Sequence, residues 1–206
     1  MLHTTALLRS AAIALLLALL SACTSIQTVQ PPVWEQRQTK LLEIEDWGLR
    51  GRMAFRSGQE GGQGKLRWQQ TGASSFIHIA GPFGAGAYDL VWEPGRVSVV
   101  DAAGEQSVEY QGVDAAEQFL RDQLGWSFPA GSARYWVMGL RDPDAPGQEQ
   151  FDDQGALLGI TQHGWNISYK RFAVYDGFAL PTSVSMENGS ASLRIAISKW
   201  TLPAAD

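Results

Sequence analysis

The sequence predicts a mainly β domain, an antiparallel meander with two or three short helices inserted, and three observations lead to it. Apolar and polar residues alternate with a period of two through most of the chain. Turn-forming clusters of Gly, Pro, Asn and Asp interrupt those runs at short intervals. Eight tryptophans and 22 glycines in 206 residues suit large apolar surfaces carried on turn-rich strands.

The N-terminus reads differently from the rest. Arg9 supplies a positive charge ahead of the apolar run Ala11 to Leu20, which is shorter than the roughly 20 residues a membrane-spanning helix needs. Leu20-Ser21-Ala22-Cys23 then matches a bacterial lipobox and contains the chain's only cysteine. Residues 1–22 are therefore expected to be a lipoprotein signal peptide, 23–32 a lipidated N-terminus and tether ending in Pro31-Pro32, and 33–206 one folded domain. On this reading Cys23 carries a diacylglyceryl group on sulfur and an acyl chain on its amine. At about 0.8 kcal/mol per buried methylene, two or more chains hold firmly where one would not. Thr24 follows the cysteine; Asp there would match the enterobacterial signal for inner-membrane retention. The expected address is the periplasmic face of the outer membrane.

The elements follow in order. Val33, Trp34, Leu41, Leu42 and Ile44 among charged residues predict an amphipathic helix. Leu49, Met53 and Phe55 alternate with Arg50, Arg52 and Arg56, predicting a half-buried strand with a basic outer face. Leu66 and Trp68 alternate with Lys65 and Arg67, and Tyr88, Leu90 and Trp92 with Ala87, Asp89 and Val91. Val97 with Val99 and Val108 with Tyr110 continue the pattern. Turns are expected at Gly58 to Gly64, Thr71 to Ala73, Glu93 to Gly95 and Asp101 to Gly104. Asp114 and Glu117 form a capping-box-like pair ahead of the stripe Phe119, Leu120 and Leu124, with Gly125 as the stop. A second helical turn is predicted over Ser132 to Met138. Strands are expected again at Leu157 to Gln162, Trp165 to Arg171, Leu180 to Glu187 and Ala191 to Trp200, with Asn188-Gly189 as a type I′ hairpin signal.

Charge and composition narrow the function. The chain has 16 Lys+Arg against 21 Asp+Glu; without Arg9 the mature balance is 15 against 21, a formal charge of −6, which argues against nucleic acid. Only His78 and His163 remain with no cysteine, so no metal cluster and no cofactor are expected. No Gly-x-Ser-x-Gly elbow or Ser/His/Asp set is present. Asp152-Asp153 and Glu43-Glu45-Asp46 sit beside turn and helix-end signals as solvated acids, and the glycine-rich segments lack a phosphate loop's Lys-Ser/Thr. The chain is not expected to be an enzyme. Two features stand apart: aromatics bulky for a small core, and Phe83, a large apolar residue between Pro82 and Gly84 at a loop where such residues are unusual. Each could be core, or could mark a cavity and an exposed probe.

Trp47-Gly48-Leu49-Arg50-Gly51-Arg52, Trp68-Gln69-Gln70, Gly81-Pro82-Phe83-Gly84, Gly125-Trp126-Ser127-Phe128-Pro129, Trp136-Val137-Met138-Gly139, Gln162-His163-Gly164-Trp165, Leu180-Pro181 and Ile195 to Trp200 together resemble the outer-membrane lipoprotein receptor family, LolB. The resemblance implies an incomplete antiparallel β-barrel of about eleven strands, closed by helices around a hydrophobic cavity, the LolA/LolB-like fold. It also implies a monomeric receptor that takes lipoproteins from the periplasmic carrier LolA and inserts them into outer-membrane lipid through acyl chains held in the cavity. Within that frame the expected lining is Phe55, Trp68, Tyr88, Leu90, Trp92, Phe119, Leu124, Trp136, Ile195 and Ile197. Pro82, Phe83 and Gly84 are expected to form a membrane-insertion loop, where the family usually carries Leu at the position of Phe83. The rival is a lipid-anchored structural or envelope-assembly factor with a filled β core.

Overall fold

A computed structural model describes residues 33–81, 86–101, 104, 107–124 and 127–203. Its elements are α1 (Val33–Leu42), β1 (Trp47–Ser57), β2 (Glu60–Thr71), β3 (Ser74–Ala80), β4 (Ala87–Glu93), β5 (Arg96–Asp101) and β6 (Ser107–Gln111). Next come α2 (Ala115–Leu124), α3 (Ala130–Trp136), β7 (Gly147–Phe151), β8 (Leu157–Gln162), β9 (Trp165–Tyr175), β10 (Phe178–Glu187) and β11 (Ala191–Thr201). All eleven strands join one antiparallel sheet in the order β6-β5-β4-β3-β2-β1-β11-β10-β9-β8-β7.

Chain order explains sheet order. Strands β1 to β6 run outward as a meander, α2 and α3 cross over, and β7 to β11 return as a second meander whose last strand pairs with the first. The two edges, β6 and β7, are not paired with each other. The result is an incomplete barrel, with α2 lying on β5 and β6 and α1 against β10. These elements belong to one compact unit, Pro32–Asp206.

Alternation predicts most strands correctly because the sheet has one apolar and one polar face. Leu49, Leu66 and Trp68 are buried while Arg50, Lys65 and Arg67 are exposed. Three expectations need correction. The glycines at 61, 62 and 64 belong to β2 instead of a turn. Their missing side chains are needed there: a Cβ on Gly62 would lie 2.6 Å from the Phe55 ring, and one on Gly64 2.6 Å from the Ala80 carbonyl oxygen. Strand β7 was not expected, because Gly-Gln-Glu-Gln-Phe carries no apolar alternation and is recruited by pairing with β8. Finally, the hairpin at Asn188-Gly189 is present but not as type I′, since only Gly189 has positive φ (86°). Asn188 Oδ1 instead accepts bonds from the backbone N–H groups of Ser190 and Ala191. Positive φ at both central residues occurs at His163-Gly164 and Asp176-Gly177, the turns joining β8 to β9 and β9 to β10.

Both interrupted helices fall close to their predicted places. α2 starts one residue after Asp114, whose carbonyl accepts from the Gln118 N–H. α3 ends at Trp136, two residues short of expectation, and Gly139 in the left-handed conformation (φ 74°) turns the chain away.

Candidate functional site

The inner face of the sheet is not filled along its whole length. Between β1–β5 and the two crossover helices lies a cavity of about 460 Å³. Its walls are Met53 and Phe55 of β1, Leu66 and Trp68 of β2, Ile77 and Ile79 of β3, Leu90 and Trp92 of β4, and Val97 and Val99 of β5. Ala116, Phe119 and Leu120 of α2 face them; Phe128, Ala130, Ala133, Met186, Leu193 and Ile195 complete the lining. Gln63 is the one side chain with an amide among these walls, so the interior offers almost nothing to a polar ligand.

Magnitudes exclude a packing defect. On the scale of cavities left by core truncation, ~24 cal/mol per Å³, an empty closed void of this size would cost on the order of 10 kcal/mol. That rivals the whole stability of an ordinary domain. The walls show how the structure avoids it: Ile77, Ile79, Leu90, Trp92, Phe119 and Leu120 point inward yet are only partly buried, so the cavity is open at a rim. Tyr88, 51% exposed, stands at that rim with Gly81 and Gly86. The Gly81 N–H donates to the Gly86 carbonyl at 2.9 Å, pinching the neck of the 82–85 connection.

The opposite end is closed by side chains held by polar bonds. Trp47 packs its ring 5.2 Å from that of Trp68 and 5.5 Å from that of Trp200. Gln70 Oε1 accepts from Trp68 Nε1 (3.3 Å) and from Ser75 Oγ (2.6 Å), fixing the Trp68 ring at the cavity wall. Under β8–β10, Trp136 donates its indole N–H to Gln162 Oε1 at 2.8 Å, and its carbonyl accepts from the Tyr169 hydroxyl at 2.8 Å. Burial holds the Tyr169 phenol well above its ordinary pKa, which keeps it a donor. Arg37 of α1 gives one bond each to the carbonyls of Met138, Gly139 and Ala179, between the rings of Trp34 and Phe172. Burial lowers its pKa to about 10, so it remains charged at neutral pH, compensated by three carbonyl dipoles and two π faces.

Phe55, Trp68, Tyr88, Leu90, Trp92, Phe119 and Ile195 from the expected lining meet around the cavity. Trp136 and Ile197 do not: Trp136 is fully buried beside Gln162, and Ile197 lies one inward position closer to Trp200 in the filled end. The Leu124 side chain, Cys23 and the Pro82-Phe83-Gly84 tip lie outside the described residues. Ile77 and Ile79 were overlooked as wall residues, although strand register sets them opposite Trp68 and Leu66. His78 and His163 serve the scaffold, one 2.6 Å from Asp89 on the outer face and one in a turn. Among the described residues there is no group of three His, Cys, Asp or Glu placed to hold a metal.

Comparison with known proteins agrees with this geometry. The sequence profile of the family described as "Outer membrane lipoprotein LolB" matches residues 45–200. The Outer-membrane lipoprotein LolB of Nitrosococcus oceani is 35% identical over 192 residues, covering 90% of this chain and 94% of that protein. Its counterpart in Pseudomonas syringae is 31% identical, covering 90% and 92%. Among solved structures, the LolA superfamily protein NE2245 from Nitrosomonas europaea shares the fold at 11% identity and a TM-score of 0.53, covering 84% of this chain and 94% of that one.

Proposed function

Because the chain belongs to the LolB family of outer-membrane lipoproteins, we propose that it receives lipoproteins from the soluble carrier LolA and inserts them into the inner leaflet of the outer membrane. Its role lies in outer-membrane lipoprotein localisation, and it is not an enzyme. The observation that supports the finer reading is the apolar cavity with its open rim at Tyr88, Gly81 and Gly86. Nothing covalent need change in such a cycle.

Acyl chains would lie between the sheet wall of Leu90, Trp92, Ile77 and Ile79 and the α2 wall of Phe119 and Leu120. Each methylene removed from water contributes about 0.8 kcal/mol, so a snug cavity binds tightly and release needs a sink of equal apolarity. The bilayer is that sink. Transfer from carrier to receptor needs only a small gradient, since about 1.4 kcal/mol is tenfold in equilibrium. No nucleotide is required, and one protomer suffices. In this reading residues 1–22 leave as a signal peptide, acylated Cys23 and the tether to residue 32 hold the domain at the periplasmic face, and Phe83 is the apolar tip that meets lipid during release. Replacing Cys23 with Ala should free the protein from the membrane without stopping it from accepting clients.

The direct test uses residues 24–206 and a fatty acid carrying a quencher. Trp68 and Trp92 line the cavity, so saturable quenching that plain palmitate reverses is the expected result. Quenching that never saturates, or that palmitate leaves unchanged, would break the acyl-binding reading.

A further inference from the structure

The outer face of the sheet takes no part in the proposed cycle, and it carries a block of cations. Arg50 of β1 stands directly opposite Arg67 of β2 on one side and Lys199 of β11 on the other. One row along, Arg52 stands opposite Lys65. All five side chains are exposed. Like charges directly opposite across a strand pair repel, and none of the five has a carboxylate partner. The ion pairs among the described residues lie elsewhere, at His78–Asp89, Arg96–Glu93, Arg96–Glu109 and Arg141–Glu149. In the row of Arg67 the first acid is Asp89, two strands away and 2.6 Å from His78. The chain carries a net −5, so the block is a local inversion of its overall charge.

A recess of about 350 Å³ opens beside the block over Gly48, with Arg50, Arg67 and Gln69 among its walls and Asp46 at its edge, where the carboxylate accepts from the Gly72 N–H at 3.1 Å. Packing does not demand glycine there, because a Cβ would sit 3.6 Å from the Trp68 carbonyl oxygen and 3.7 Å from Thr201 Cβ, ordinary contacts. What the glycine leaves is a hollow lined in part by Arg50 and Arg67, two residues of a type whose planar fork matches phosphate oxygens in pairs.

We propose that this face docks on an anionic phospholipid surface, with headgroup phosphates against Arg50, Arg67 and Lys199, and so sets the orientation of the domain on its membrane. Family membership makes a lipid surface the partner that is always near, which raises its effective concentration above that of any soluble protein. Of the five, Lys65 lies toward the cavity rim, pairing with Ala80, the residue before the pinched neck at Gly81, while Arg50, Arg67 and Lys199 lie beside Trp68 and Trp200 at the closed end. Docking through the outer face leaves the concave side and helices free for a carrier. The biological purpose rests on the receptor reading above, but the test does not.

Residues 24–206 are sedimented with phosphatidylglycerol–phosphatidylethanolamine vesicles and, separately, with phosphatidylcholine vesicles. The expected result is binding to the anionic vesicles alone, weakening as salt is raised. Each cation near an anionic surface contributes about five-fold in partitioning, so Arg50→Gln, Arg67→Gln and Lys199→Gln together should lower it about 100-fold. The pair Arg52→Gln and Lys65→Gln should lower it about 25-fold on the same scale, an independent check should the triple variant misfold. Lys40→Gln with Arg121→Gln, exposed on α1 and α2, should change nothing. Equal binding to phosphatidylcholine, or unchanged binding by both sets of variants, overturns the proposal. So does a triple variant that keeps vesicle binding but loses association with an acidic soluble carrier, which would assign the face to a protein. Loss of fatty-acid quenching with vesicle binding retained would instead break the receptor reading and leave this one standing.

Discussion

Strands β8–β10 and strands β3–β4 bear the same alternation of apolar and polar residues on the same sheet, yet their inward side chains meet different surroundings. Ile160, Ile167, Leu180 and Val184 are at most 2% exposed, whereas Ile77, Ile79, Leu90 and Trp92 are only partly buried. What lies opposite decides the outcome. Beneath β8–β10 the segment Trp136 to Leu140 inserts as a plug, tied down by Gln162, Tyr169 and Arg37. Opposite β3 and β4 stands α2, seated on β5 and β6, which offers Phe119 and Leu120 across a gap instead of into it. The molecule thus divides its interior between a filled half and an open half, and polar bonds to backbone carbonyls are concentrated in the first.

Mutations that separate the two halves test this division. The largest stability loss is expected for Trp136→Ala, about 3–5 kcal/mol, since it empties a filled site and orphans Gln162. The matched change on the open side, Trp92→Ala, should cost only about 1 kcal/mol because that ring already faces a space. Equal losses in denaturant melts would erase the comparison. Arg37→Met should cost about 3 kcal/mol, for it strands three carbonyls at the plug. Methionine matches the apolar stem of Arg37, so a loss well below that would mean the guanidinium contributes packing alone.

On the open side effects should move from stability to binding. Leu90→Asp is expected to melt within about 1 kcal/mol of the parent yet bind fatty acid at least tenfold more weakly, because a chain entering the cavity must desolvate the carboxylate. The same change at buried Trp68 should damage both. The smallest change in stability should come from Phe83→Glu, which should leave the melting temperature and acceptance from the carrier unchanged while slowing insertion into liposomes. Burial of one such ring in lipid contributes roughly 1.5–3 kcal/mol, enough to bias an encounter. A destabilised Phe83→Glu protein, or one inserting at the parental rate, would remove the probe role.

The comparison also explains what was legible in the sequence. Alternation in β1, β4 and β11 gave away strand and facing, because a two-residue period survives any tertiary context. Sequence pattern could not tell Trp92 of β4 from Trp136 at the end of α3, since both read as inward-facing aromatics and only the depth of the opposing layer, set by segments far apart in sequence, distinguishes wall from plug. Ile195 and Ile197 differ in the same way by one step along one strand. Gly62 and Gly64 misled because glycine signals turns more often than it signals a close neighbour, here Phe55 and Ala80. Strand β7 left no trace because its order comes from β8 and not from its own side chains.

The unpaired edges β6 and β7 have a mechanical consequence. A closed barrel is hooped by its hydrogen bonds, and its girth cannot change without breaking a full ladder of them. Here the hoop is cut: α2 packs on β5 and β6, α3 touches α2, and Trp136 at the end of α3 bonds to Gln162 of β8. Spreading the two meanders would then strain the contacts of α2 with α3 while every ladder stays intact. An open sheet of this kind would yield in circumference more readily than along its strands.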